Sequence, residues 1–429
     1  MQLVAYGTQD IVLTSNPDIT FFKVVYRRHT NFATESIQQT FNGTVGFNKK
    51  VSCIISRNGD LISECWLEIT LKKKGSVTTT SHEDQRRTTF FPAEALIKEV
   101  KVEIGGQQID KHYADWFRIH SELFRDSEEK AAYRRLVDFV DGETAGTVKR
   151  FYLPLIFWWN TQPGLALPLI ALQYHEVKLD IEFSSAPDGC ADTDADMTCS
   201  LYVDYIFLDV DERRRFAQSQ HEYLIEQLQF TGSESVTYSP SANSSFKPRL
   251  NFNHPVKYLA WVFRGSKHGQ YAAIHPGNPD LRPMDIANLN TMAEALAPMH
   301  KAKLQLNGHD RFSERPGSYF SMVQPMQKCK TRPQAGIYLY SFALKPHEHQ
   351  PSGTCNFSRI DNATLQITMK KSSNNGNVAF IYSTAPAANI TTEEDTLGVI
   401  DRNTELRIYA KNYNILRIMS GMGGLAYAN

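Results

Sequence analysis

His347-Glu348-His349 is the stretch with the most evident capacity for chemistry, because two imidazoles flanking a carboxylate can hold a divalent cation. Such a pair normally shares one strand face and is followed by a further carboxylate. Here Gln350-Pro351-Ser352-Gly353-Thr354 follows, and Pro346 and Pro351 bracket the stretch, so it reads as a loop lacking its third ligand. The six cysteines, Cys53, Cys65, Cys190, Cys199, Cys329 and Cys355, include no CxxC pair of the kind zinc sites use. Free thiols are expected, with a Cys190–Cys199 bridge as the one exception. Ile104-Gly105-Gly106-Gln107 and Gly421-Met422-Gly423-Gly424 are glycine-rich but lack the Lys-Ser/Thr end that holds phosphate in a nucleotide loop. Arg213-Arg214-Arg215 offers three guanidiniums to a phosphate. Asp209, Asp211 and Glu212 lie beside it, so the charge pattern favours an interdomain hinge with local ion pairs. No Ser-His-Asp or Cys-His set is defined by spacing. The sequence therefore assigns no catalytic residue, no cofactor and no metal ligand, and the chain does not read as an enzyme. Asn-X-Ser/Thr triplets occur at Asn42, Asn243, Asn356, Asn362 and Asn389. Asn42 and Asn362 fall in or beside strands, where a glycan is hard to accommodate, whereas Asn389 sits in a long polar loop.

The elements that carry these side chains follow from composition and pattern. The 429 residues exceed what one ordinary core supports, and two domains of ~200 residues are the natural division. Lys plus Arg equals Asp plus Glu, at 46 each, so no global basic field exists to hold a nucleic-acid backbone. Met1 to Gly7 lacks the basic start and apolar core of an export signal. Phe151 to Leu172 is apolar, yet Pro154, Pro163, Pro168 and Asn160-Thr161-Gln162 interrupt it too often for a membrane helix. Two buried strands around a Gln162-Pro163-Gly164 turn are expected instead.

Strand signals dominate from Glu35 onward. Leu61, Ser63, Cys65, Leu67, Ile69 and Leu71 alternate with Glu64, Glu68 and Thr70, the period of a sheet with one buried face. Asn58-Gly59 just before them predicts a tight hairpin that would set Cys65 opposite Ser52. Val100, Val102 and Ile104 give another strand. Tyr113, Trp116, Phe117 and His120, and then Tyr133, Leu136, Val137 and Val140, have helical spacing, the second set with a cap at Ser127. Both helices are expected to lie over a sheet edge. Further strands are predicted at Phe151–Trp159, Val177–Phe183, Leu201–Leu208, Leu250–Phe263, Lys301–Leu306, Ile337–Leu344, Ala363–Met369 and Leu406–Leu416. Long polar loops are predicted at Lys72–Thr89, Gly265–Pro298 and Ser372–Asn403.

The chain also repeats itself. Residues 102–107, 177–183 and 204–208 correspond in order to 304–309, 363–369 and 412–416, with displacements of 202, 186 and 208. Residues 201 to 232 form the seam between the copies. The division is an N-terminal arm over 1–35 and two domains over 36–212 and 213–429. The expected fold is all-β, two tandem eight-stranded antiparallel jelly rolls with a few short helices in loops.

Several stretches resemble one family. Asn16 to Phe32, NPDITFFKVVYRRHTNF, is similar to the N-terminal signature of the major capsid proteins of large icosahedral DNA viruses. The likeness continues through Asp110–Phe117, Phe151–Ile156, Leu165–Val177, Tyr205–Asp209, Glu222–Phe230, Asn356–Thr364, Tyr409–Asn414 and Met419–Asn429. It covers nearly the whole chain and looks most like the algal chlorovirus members. Departures fall at Lys72 to Arg87, Gly265 to Pro298 and Ser372 to Asn403. The resemblance implies a structural protein of the virion, a homotrimer whose six lobes tile a shell, assembled in the host cytoplasm. It implies contacts with neighbouring capsomers and minor capsid proteins, through the arm among other surfaces, above an internal membrane that this chain does not cross. It also implies glycans on outward loops, with Asn389 in the most family-like context and Asn290 and Asn403 as weaker sites. The alternative is a jelly-roll carbohydrate-binding attachment protein. Its hallmark, exposed aromatics in loops, is thin here, since Tyr271 is the single aromatic between Gly265 and Pro298. A metal-dependent jelly-roll enzyme stands third.

Overall fold

The computed structural model describes residues 8, 11, 14–72, 92–137, 148–186, 197–236, 244–264, 298–329, 331, 333, 336–370 and 405–427. The expected long loops lie outside these residues except for Lys72 and Pro298, and so do Asn290, Asn389, Asn403 and Cys190.

The first half contributes strands β1 (Phe32–Gln39), β2 (Lys50–Ile54), β3 (Leu61–Lys72), β4 (Ile97–Ile104), β5 (Gln107–Tyr113), β6 (Val148–Pro154), β7 (Leu167–Pro168), β8 (Val177–Phe183) and β9 (Met197–Leu208). They form one sheet in the order β1-β9-β3-β6, with β7 beside β3, and a second in the order β2-β8-β4-β5. The second half contributes β10 (His221–Ser235), β11 (Ser245–Phe246), β12 (Pro255–Arg264), β13 (Met299–Leu306), β14 (His309–Asp310), β15 (Arg315–Pro316), β16 (Ile337–Ser341), β17 (Cys355–Asn356), β18 (Ala363–Met369), β19 (Glu405–Met419) and β20 (Met422–Leu425). Its sheets run β10-β19-β12-β16 and β11-β18-β13-β14, with the short strands at their margins. The two halves share one strand order, and the pairings among the described residues are antiparallel. This is a double jelly roll. The three sequence correspondences fall on β4 and β13, β8 and β18, and β9 and β19. The turns after β4 and β13 match as well. Gly105-Gly106 and Asn307-Gly308 all adopt positive φ (+58°, +79°, +50°, +82°), the backbone of a two-residue hairpin turn.

Among the described residues three helices exceed two turns: α1 (Ala114–Phe124), α2 (Ser127–Val137) and α3 (Val210–Gln218). The cap of α2 is Asp126, one residue before the expected Ser127. Its carboxylate accepts from the Glu129 N–H at 2.8 Å while the Glu129 carboxylate accepts from the Asp126 N–H at 3.2 Å, a reciprocal capping box.

Several local expectations are corrected. Asn58-Gly59 does not form a hairpin, because β2 pairs with β8 and β3 with β9, in different sheets. The chain crosses the sandwich there, over Tyr205, whose hydroxyl donates to the Ser56 carbonyl at 2.6 Å. A Cβ on Gly59 would lie 2.7 Å from Tyr205 Cβ, so this glycine serves a close approach. The period-two pattern of β3 slips at a register shift between Ile62 and Cys65, which buries Ile62 and leaves Ser63 half-buried. Phe151–Leu172 holds one strand, β6, followed by single helical turns at Trp158–Thr161 and Pro163–Leu165 and the two-residue β7. The proline-broken stretch cannot supply the ladder N–H groups that two full strands need. β1 begins at Phe32, inside the expected arm, and α3 spans the expected junction of the two domains.

The strand β12 shows how the core is built. Val256 to Phe263 is buried throughout, with no wet face. Leu259, Trp261 and Phe263 point into the interior of the second roll, beside Phe320, Leu365 and Ile408. Tyr258, Ala260 and Val262 point the other way and join the core of the first roll, with Tyr409, Ile337 and Leu339. One sheet of the second roll is thus sandwiched between its own partner sheet and the neighbouring domain. Trp261 packs at 5.3 Å from the Phe320 ring and 5.9 Å from Tyr338. Trp261→Ala should cost about 3–5 kcal/mol in urea unfolding of the full chain.

Candidate functional site: the seam and the exposed arm

The seam is built from side chains that each roll lends the other. At the end of β9, Asp209 caps α3 by accepting from the Val210 N–H at 2.8 Å. Arg213 then reaches out of the helix to buried Asp60, 2.7 Å away, instead of to its acidic neighbours in sequence. Asp60 also accepts from the Leu208 N–H at 2.8 Å. Arg213 therefore anchors the interdomain helix to the first roll.

Deeper in the seam, Asp115 in the first turn of α1 is buried and faces the second roll. Its carboxylate accepts from Arg407 on β19 (2.8 Å), from the Tyr409 hydroxyl (3.2 Å) and from Arg264 on β12 (3.4 Å). Burial alone would lower the Arg407 pKa, but Asp115 and Tyr409 together hold it above its ordinary value. Burial, then Asp115, pushes the Tyr409 phenol well up. Next to this cluster Trp116 stacks near Tyr258 (6.4 Å, 16°) and tilts against Tyr409 (6.0 Å).

A second clasp joins the edge of β5 to β10. Asp110 accepts from the Leu228 N–H (2.9 Å), Gln227 donates to the Ile109 carbonyl, and Asn414 donates to Gln227 Oε1 (2.9 Å). Asp110 also faces His112 Nε2 at 3.0 Å. Burial opposes its charge, but His112, Lys411 and the Leu228 N–H outweigh that and hold the carboxyl below its ordinary value. Burial pulls the His112 pKa down, so the pair is a carboxylate beside a neutral imidazole. The His112 ring stacks on Phe157 at 4.4 Å.

The third clasp is the C-terminal hairpin β19–β20, which returns onto the first roll. Tyr174 N–H donates to the Gly421 carbonyl (2.9 Å), and His175 Nδ1 lies within 3.2 Å of the Gly423 N–H and 2.9 Å of its carbonyl. A Cβ at Gly423 would approach Leu172 Cδ2 to 2.7 Å. The glycines of 421–424 thus serve close packing of a hairpin. The missing Lys-Ser/Thr end excludes a phosphate loop from sequence, but nothing local names their partner.

His347 and His349 lie in a loop, as their flanking prolines suggest, and face different groups. His347 Nδ1 is 3.3 Å from the Lys328 carbonyl, while His349 Nδ1 is 3.9 Å from Glu226. Among the described residues no group of three or more His, Cys, Asp or Glu side chains is gathered for a metal. Cys53, Cys65, Cys199, Cys329 and Cys355 are free thiols, and burial pushes the Cys65 and Cys329 pKa values up to about 12, away from nucleophilic use. The proposed partner of Cys199, Cys190, lies outside the described residues, as do the three candidate glycan sites.

The other feature is the arm. Ile19, Phe21, Phe22, Val24, Val25 and Tyr26 are all exposed, Phe22 at 99%, Val24 at 96% and Phe21 at 89%. Lys23, Arg27 and Arg28 are interleaved with them. The exposure continues into β1, whose first five residues are exposed although they pair with the end of β9. Met326 and Leu344 add two exposed apolar side chains on the second roll. So much apolar surface on one extended segment marks an interaction site.

Comparison with known proteins matches both halves. Residues 20–209 match the family described as major capsid protein N-terminus, and residues 212–424 match the large eukaryotic DNA virus major capsid protein family. The chain is 55% identical to the major capsid protein of Paramecium bursaria Chlorella virus 1, over 100% of this chain and 99% of that one. It is 46% identical to the major capsid protein of Pyramimonas orientalis virus, over the same shares. Its structure is similar to that of the PBCV-1 virus capsid, with a TM-score of 0.84 at 54% identity, covering 96% of this chain and 100% of that one. The Faustovirus major capsid protein, at 13% identity and a TM-score of 0.60, shares the fold over 96% of this chain and 94% of that one.

Asp115→Asn would leave two guanidiniums and a phenol without their shared anion and should destabilise the chain by about 3–5 kcal/mol in urea unfolding. The seam should also loosen in mild acid. Burial holds the pKa values of His112, His120 and His349 below the ordinary histidine value, His120 furthest. The unfolded chain takes up these protons below about pH 6.5 and the folded chain resists them, so stability falls as pH drops through that range. The depressed Asp110 adds a further loss below the ordinary aspartate value of about 3.9. The melting temperature should be lower at pH 5.5 than at pH 7.5, and His120→Phe should flatten that difference.

Proposed function

The chain belongs to the major capsid protein family of large eukaryotic DNA viruses, and from that premise we propose that it assembles as homotrimers whose six lobes tile an icosahedral shell. The family is one of structural virion proteins, not a class of enzyme, and the carbohydrate-binding alternative is set aside. The observation that carries the trimer is the repeated strand order held across a buried seam. Three copies of a chain with two like lobes present a near-hexagonal outline, and hexagons close-pack. The outline serves tiling only if the two lobes keep a fixed mutual angle, which the Asp115, Asp110 and C-terminal clasps supply.

The arm supplies contacts beyond the single chain. Its bare aromatic and β-branched side chains, set among basic residues, suit a neighbouring subunit or minor capsid protein at the base of the shell. A permanent interface of this kind buries more than ~2,000 Å². An internal membrane would lie beneath; no helix among the described residues is long and apolar enough to cross one. Glycans would be added in the host cytoplasm to outward loops, at Asn389 first and at Asn290 and Asn403 after it.

Native mass spectrometry should give three chains per particle at working concentration, and a monomer would overturn the trimer. Deletion of residues 1–31 should leave soluble trimers that no longer build shells. Normal shells from the truncated chain would remove the arm from the account. Protein from virions should exceed the bare chain's 48.7 kDa by the mass of its glycans, and an intact mass equal to the bare chain would refute glycosylation.

A further inference from the structure

Between the helices of the first roll and the β10-β19-β12 face of the second lies a cavity of about 480 Å³. Small-molecule sites span roughly 300–1,000 Å³. Its walls are aromatic, from Trp66, Phe124, Tyr133 and Trp158 of the first roll and Tyr258 of the second. Charged side chains line it as well, Glu64, Arg125, Glu129, Glu226 and Lys411. Lys411, on β19, lines the cavity and is only 5% exposed. Its ammonium lies 5.7 Å from the ring of Trp116, and no hydrogen-bond acceptor meets it among the described residues.

The nearby carboxylates are already engaged. Glu226 holds Lys257 at 2.5 Å. Asp110, whose charge Lys411 feels, is engaged by His112 and by the Leu228 and Lys111 N–H groups. Glu64 and Glu129 are exposed at the rim, where the first accepts from Trp66 Nε1 (2.9 Å) and the second from the Asp126 N–H (3.2 Å). Arg125 lies over the Tyr133 ring at 4.6 Å. His120, also lining the space, is kept neutral by burial, and the indole N–H of buried Trp158 meets no acceptor among the described residues. A buried ammonium without a hydrogen-bonded anion is costly, and rim carboxylates in water are screened from it.

We propose that this cavity binds a small organic anion with an apolar or aromatic body, its carboxylate on Lys411 Nζ and its body against the aromatic walls. Because the walls come from both rolls, an occupant would bridge the seam and stabilise the folded chain in proportion to its occupancy. The proposal is independent of how the chain assembles.

The test uses the full chain and 2-naphthoate, with neutral 2-naphthalenemethanol as its uncharged counterpart, followed by calorimetry and by thermal melting. The wild type should bind naphthoate at least tenfold more tightly than the alcohol, with a raised melting temperature. Lys411→Met should abolish that preference. Ala132→Phe, on the exposed face of α2 at the cavity mouth, should weaken both ligands without disturbing the fold. Equal binding of the two ligands by wild type, no naphthoate binding at 1 mM, or unchanged naphthoate affinity in Ala132→Phe would each overturn the proposal, even if Lys411→Met does not fold.

Discussion

The sheet β10-β19-β12-β16 has no wet side in its middle, and the rest of the molecule is arranged around that fact. An antiparallel sheet in a free-standing jelly roll covers one face with its partner sheet and gives the other to water. Here the second face is apolar along β12 and must be covered by something else. The first roll covers it with α1, whose Trp116 packs against Tyr258 and Tyr409 of that face. Burying each such side chain is worth about 1.5–3 kcal/mol, so separating the rolls would expose more apolar surface than a marginally stable chain tolerates. The two lobes are one body for that reason, and polar clasps set the angle that apolar contact leaves undetermined.

Asp115 illustrates the division of labour. Hydrophobic burial is non-directional, whereas a carboxylate shared by Arg407, Arg264 and Tyr409 accepts only one docking geometry. Leaving any one member behind would strand the others in a dry interface, so the cluster acts as a register pin. Asp110, Gln227 and Asn414 do the same at the β5 edge. A shell protein has use for this rigidity, because an error in the angle between its lobes would be repeated at every lattice position.

Much of this was legible in the chain, in proportion to how local the cause is. The duplication could be read because equivalent hairpins need the same backbone, and Gly105-Gly106 and Asn307-Gly308 both permit positive φ. The helices α1 and α2 followed from apolar spacing. The two-sided burial of β12 also had a signal, since Val256 to Phe263 alternates with no polar face apart from Lys257, yet that run was read as an ordinary strand. Asn58-Gly59 misled because a favourable hairpin dipeptide was overruled by a crossing between sheets. The seam clasps were invisible. Asp115 and Arg407 lie 292 positions apart, and no local pattern ties a carboxylate in a helix to an arginine in the last long strand.

The hairpin β19–β20 has a consequence for how the protein folds. It covers Leu172, Tyr174 and His175 in the first half, with Gly423 and His175 lying 248 positions apart. The first lobe cannot close this part of its surface with its own residues, and the patch stays bare until the second lobe lends its hairpin. Contacts of such long sequence separation form late, so the maturation of one lobe is tied to that of the other.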